Sequence, residues 1–211
     1  MPAAARVALI ALGAMLTAAA AAAPPQGPAS PAAKGTAATP PAAPALPPQW
    51  LMPGLAEGKL TPAQIEQQLP DAHPINYYIY AEQLFQAGRK DQALQWFYAG
   101  QLRYRFLLKA VPGSESAGGA PLFDSLLEEF GPPLNHYGAS DPTNWVKQID
   151  AALQWDASNP NGYTSKTRYA RQLHDARDGL VNFRAYIVAH ADELRKKAEA
   201  TPAPGWENLR N

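Results

Sequence analysis

Eight residues between Tyr169 and Leu194 place the strongest constraint on what this chain can become. Tyr169, Leu173, Ala176, Leu180, Phe183, Ile187, His190 and Leu194 follow one another at intervals of 4, 3, 4, 3, 4, 3 and 4. That alternation holds them on one side of an α-helix of about 3.6 residues per turn. The other faces carry Arg168, Arg171, Asp175, Arg177, Asp178, Arg184, Asp192, Glu193 and Arg195. The spacing predicts one amphipathic helix from about Ser165 to Ala198, with its apolar seam laid along a bundle. Gly179 weakens that helix by about 1 kcal/mol relative to alanine and marks an expected bend.

Helix punctuation recurs upstream, and no segment alternates convincingly as a strand would. In "LTPAQIEQQLP", Thr61 is an N-cap, Pro62 fills the first helical position, Gln64 completes a capping box and Pro70 closes the segment. "HPINYYIYAEQLFQAG" begins at Pro74 and stops at Gly88, and the next helix runs from near Asp91 until Pro112-Gly113. A flexible "GSESAGGA" precedes a short helix, "PLFDSLLEEFG". In "SDPTNWVKQIDAALQWD", Ser140 or Asp141 is the cap and Pro142 sits in the first turn. The expected fold is therefore all-α, a bundle of about six helices without a sheet.

The helix beginning near Asp91 contains "QWFYAGQLRYR", which has the look of a ligand surface. At about 100° per residue, Ala93, Phe97, Gly100, Tyr104, Leu107 and Val111 fall on one face, and Tyr98, Leu102 and Phe106 nearly opposite. A helix apolar on two faces is expected between neighbours, and Ala93 and Gly100 would let the preceding helix come close. Arg103 and Arg105, about 200° apart, cannot form one patch and are placed on the flanks between those faces. Packing explains the cluster, while Trp96 and Arg103, which share a side, remain a candidate binding pair.

Within "YYIYAEQLFQAGRKDQALQWFYAG" the chain resembles one helix-turn-helix unit of the tetratricopeptide or Sel1-like type. Ala81 and Leu84 stand at packing positions of a first helix, Gly88 at the turn, and Ala93, Trp96 and Phe97 match the second helix. The likeness spans about residues 74–105 and implies one hairpin, not an array, since a solenoid needs about three repeats. It also implies, for the family's members, a role in binding proteins or peptides.

The N-terminal quarter reads differently. Residues 1–23, "MPAAARVALIALGAMLTAAAAAA", have the order of a signal peptide: a basic start at Arg6, an apolar run, then small residues. An uncleaved leader is the one route by which the membrane would be involved. Residues 24–49 are rich in proline and alanine and read as a disordered or polyproline-like linker. The globular domain is expected over 50–200, with a flexible tail over 201–211. The chain has no cysteine, so an exported form relies on packing without disulfides. Without Arg6 and Lys34, 16 basic residues face 18 acidic ones, and nucleic-acid binding, which needs a basic face, is not expected.

Candidate chemistry is sparse. His174 lies four residues before Asp178 and His190 three before Glu193, a spacing that can hold a metal, but two isolated pairs do not make a site. No metal or other cofactor is expected. Glu82, alone between Asp71 and Asp91, is the acid to inspect for glycan chemistry. No nucleophile or phosphate-loop motif is present, and no catalytic residue is assigned. Two segments expected as loops, "NHYGASDPTNW" and "DASNPNGYTS", hold the adaptable residues of recognition loops, although capping and turn formation account for them too. His136, Tyr137, Trp145 and Asn161 join Trp96 and Arg103 as candidate binding residues. The sequence thus points to an exported, periplasmic or secreted, non-catalytic domain that binds a protein or peptide of the cell envelope, one form being an immunity protein that blocks a toxin. The rival reading is an enzyme or binder acting on cell-wall glycan.

Overall fold

In the computed structural model, which describes residues 48–113 and 119–204, one helix is surrounded by the others. The sequence has α1 at Pro62–Gln68, α2 at Ile75–Gln86, α3 at Lys90–Ala110, α4 at Gly119–Ser140, α5 at Pro142–Ser158, α6 at Ala170–Ala189 and α7 at Ala191–Ala200. Short 3-10 turns lie at Pro48–Trp50 and Leu69–Asp71. The described residues form an all-helical bundle without strands. α3 packs against α2, α4, α5 and α6, and α7 lies on α4. The two apolar faces of α3 require this: Phe97, Tyr104 and Phe106 are wholly buried, as are Tyr77 and Tyr78 on α2. The residues expected as a leader, most of those expected as a linker and the end of the expected tail fall outside the described residues, as does most of "GSESAGGA".

Local rules decide the ends of several helices. The box at α1 forms as its sequence requires, with Gln64 N–H donating to Thr61 Oγ1 and Thr61 N–H donating to Gln64 Oε1. Asp141 caps α5 by accepting from Asn144 N–H at 3.0 Å. α2 and α3 form the expected hairpin, turned by Gly88 at φ +78, a left-handed conformation that favours glycine. Gly100 lets the two helices meet: a Cβ there would lie 2.7 Å from Tyr77 Cβ.

Two boundaries depart from expectation. α4 does not end at Gly131 but continues through Pro132 and Pro133 to Ser140, so His136 and Tyr137 are helical. The prolines remove the N–H groups that would bond the carbonyls of Glu128 and Glu129, but both glutamates are exposed, where water can take those bonds. Burial of Pro133, Leu134, Gly138 and Ala139 on the inner face drives the continuation. The long C-terminal helix, in turn, starts at Ala170 and breaks at His190 (φ −118, ψ 21) instead of bending at Gly179. The break redirects the seam: Ala176, Leu180 and Ile187 pack inward from α6, while α7 sets Leu194 and Ala198 against α4. His190 is half-buried, stacks on Tyr186 at 4.1 Å and donates from Nδ1 to the Tyr186 carbonyl at 2.9 Å.

The first of the described residues are clamped by one side chain. Asn76 accepts from Met52 N–H at 2.7 Å and donates to the Trp50 carbonyl at 2.8 Å and the His73 carbonyl at 2.9 Å. Gln83 adds a donor to the Leu55 carbonyl at 2.6 Å. These bonds fasten the 50–55 segment along α2.

Candidate functional site

The segment joining α5 to α6 crosses the bundle as a strap, and the chemically richest part of the molecule lies beneath it. Arg103, expected on a flank of α3, is 1% exposed and donates from Nε to Asp156 Oδ1 at 3.2 Å. Its other nitrogens donate to the carbonyls of Pro70 at 2.9 Å and Pro160 at 2.6 Å. The guanidinium also stacks over Trp155, 4.5 Å from the ring centroid. A buried arginine is tolerated only when its donors are paired in this way. Asp156 carries two more cations, Lys166 at 3.4 Å on Oδ1 and Arg177 at 3.1 Å on Oδ2.

One carboxylate facing three cations would be unbalanced by itself. The excess is met by the C-terminal end of α5, where positive charge is favoured. Arg177 donates to the Leu153 carbonyl at 3.3 Å and Lys166 to the Asn159 carbonyl at 2.8 Å, with a further bond to the Asp156 carbonyl. Burial lowers the Lys166 pKa, and Asp156 beside it works against that shift. With its hydrogen bonds taken up by protein groups, the cluster acts as a fastener for the strap.

The second cluster surrounds His73, at the turn before α2. Its ring stacks on Trp50 at 5.1 Å and meets the rings of Tyr104 at 5.6 Å and Tyr163 at 4.9 Å nearly at right angles. Ile75 N–H donates to Nδ1 at 3.1 Å, so the neutral ring carries its proton on Nε2. Nε2 is buried and has no hydrogen-bond partner; neither has the buried Thr164 Oγ1. Burial pushes the His73 pKa down to about 4. Tyr104 is pushed up to about 12 by burial, with Tyr163 adding to the shift.

The six candidate binding residues do not assemble into one site. Trp96 is 4% exposed and packs on Trp155 at 4.9 Å. Arg103 lies in the charged cluster. Trp145 is wholly buried against Gly138, where a Cβ would come within 2.5 Å of its ring. Its Nε1 donates to Tyr98 Oη at 3.0 Å, and that hydroxyl donates to Asn135 Oδ1 at 2.8 Å. His136 Nε2 donates to the carbonyls of Ala198 and Thr201, at 3.2 and 2.9 Å, and so holds the end of α7. Tyr137 donates to Asp91 Oδ1 at 2.6 Å. Burial and this bond push the Tyr137 hydroxyl up to about 12, and the same bond, with one from Asn144, lowers the Asp91 pKa. Asn161 turns the strap by accepting from Thr164 N–H at 2.9 Å. "NHYGASDPTNW" is thus a helix-helix seam with its turn at Asp141, not a loop.

Comparison of the chain with known families, with curated proteins and with solved structures returns no match.

Of the residues outside that set, Glu82 is 9% exposed and accepts from Gln86 Nε2 at 3.0 Å. His174 pairs with Asp178 at 3.0 Å on the exposed side of α6. The sequence reading missed Asp156 and His73. Asp156 could have been suspected as an acid within the apolar spacing of α5, four residues after Ala152. His73 carries no such signal, because the rings around it come from three separate parts of the chain.

Proposed function

We propose that this chain is an exported, non-catalytic binding domain for a protein or peptide of the cell envelope, carried on its proline-rich N-terminal segment. One concrete form is a periplasmic immunity protein that blocks a toxin. The observation that carries the reading is an apolar strip turned outward on α6. Val181 is 45% exposed and Val188 57%, with Ala185 also exposed between them. These positions share a helical face away from the seam of Ala176, Leu180 and Ile187. Arg177 and Arg184 border the strip on one side, tied to Asp156 and Asp150, with Asp178 and Asn182 on the other. Exposed apolar surface with a polar rim is characteristic of docking faces. The helical hairpin of α2 and α3, through its likeness to the tetratricopeptide type, adds weaker support.

The reading is tested with the full chain as bait in envelope extract, beside a Val181→Asp, Val188→Asp double variant. A specific partner should be retained by the first and lost by the second at equal melting temperature. Undiminished capture by the double variant would overturn the assignment of the strip. The rival reading of a glycan-acting enzyme needs an accessible carboxylate, and the burial of Glu82 does not favour it.

A further inference from the structure

We propose that the junction between the strap at 160–164 and the turn at His73 is a binding site for one neutral saccharide ring, with the Tyr163 side chain as its gate. The inference does not depend on the α6 strip and shares no residue with it.

Two buried polar groups at this junction lack partners. His73 and Thr164 are each 3% exposed, and neither His73 Nε2 nor Thr164 Oγ1 makes a hydrogen bond. Because Ile75 occupies Nδ1, His73 presents Nε2–H as a donor, while the threonine hydroxyl can donate or accept. Buried polar groups are nearly always paired, so an orphaned couple calls for an explanation. The two residues belong to segments bonded to each other, Gly162 N–H donating to the Pro70 carbonyl at 3.1 Å.

The surroundings define the guest. Trp50, half-buried, and Tyr163, exposed, supply aromatic surface beside His73; Tyr104, wholly buried, closes the inner side. The lowered His73 pKa has burial as its cause; the charged groups at the strap include Arg103, paired with Asp156, and the exposed Asp71, whose carboxylate lies against Gly162 and can accept from a hydroxyl. Aromatic faces with a few neutral donors and acceptors suit a pyranose, whose C–H face stacks while its hydroxyls take the hydrogen bonds.

Access requires little movement. Tyr163 is 39% exposed, and among the described residues its hydroxyl has no hydrogen-bond partner. Rotating its ring outward forfeits the contact with His73 and no hydrogen bond. The strap backbone stays in place, pinned by Arg103 at the Pro160 carbonyl and by Lys166 at the Asn159 carbonyl.

The test uses the full chain, titrated with N,N′-diacetylchitobiose and with cellobiose by calorimetry, and with adenosine as a comparison. Saturable binding of a saccharide is expected, weakened about tenfold by Thr164→Val, which removes one hydrogen-bonding group at nearly constant volume. Absence of saccharide binding at millimolar concentration, an affinity unchanged by Thr164→Val, or binding of adenosine alone would each overturn the proposal. Should the variant fail to fold, the imidazole nitrogen resonances of His73 in the native chain decide: a shift at Nε2 on adding saccharide supports the site, and its absence refutes it.

Discussion

Lowering the pH should destabilise this domain through His73 before the carboxylates take part. The ring is 3% exposed and its pKa is lowered by burial from the usual 6.5 to about 4. The unfolded chain therefore takes up the proton first as the pH falls. Stability from this residue is complete above pH 6.5, declines as the pH drops, and is exhausted near 4. A depression of about 2.5 units at about 1.36 kcal/mol per unit gives a loss of about 3 kcal/mol across that window. The protonated ring cannot accept from Ile75 N–H, and this bond would be lost with the charge change. Urea unfolding at pH 7.0, 5.5 and 4.5 measures the slope, with His73→Phe as the comparison. The variant is expected to start lower, having lost the Ile75 bond, but to vary less with pH. The paired carboxylates work in a lower range: Asp91, held down by Tyr137 and Asn144, gives up its contribution only as pH falls below its usual value near 3.8. Parallel profiles for the native chain and the variant would refute the reasoning.

Other perturbations have distinct signatures. Gly100→Leu forces a side chain into the place where a Cβ already lies 2.7 Å from Tyr77 Cβ, and should cost about 1–3 kcal/mol in thermal unfolding. Phe97→Ala, at a wholly buried ring, should cost about 3–5 kcal/mol by the same measurement. Arg103→Met strips Asp156 of its most buried partner and leaves the Pro70 and Pro160 carbonyls without their donor. A loss of about 3 kcal/mol is expected, with faster hydrogen exchange at the amides of Gly162 and Thr164. Val181→Asp and Val188→Asp, by contrast, should each shift stability by less than about 0.5 kcal/mol.

Helix type and many of the caps were legible in the chain because they depend on neighbours within one turn. Thr61 and Gln64 meet three residues apart, Asp141 caps at the same distance, and Gly88 needs only its own φ. The faces of α3 were legible for the same reason. The continuation of α4 was not, because the prolines signal a local stop and only tertiary burial of Leu134, Gly138 and Ala139 overrides it. The position of Arg103 was hidden as well. Its periodicity gives a flank, and only Asp156, 53 residues away, and two distant carbonyls permit its burial. The break at His190 is set by what α7 meets on α4, which no pattern within the helix records.

The clamp at Asn76 has a mechanical consequence. Any tension reaching the domain along its N-terminal segment meets first the two bonds by which Asn76 grips Trp50 and Met52, together with the stack of Trp50 on His73. Asn76 belongs to α2, and α2 lies along the central helix α3. A pull is therefore passed across the chain into the middle of the bundle, where aromatic packing resists it, before it can peel the leading residues away. Behind this first lock stands the bond from Gln83 to Leu55, so the domain would yield to force in steps, from its leading end inward.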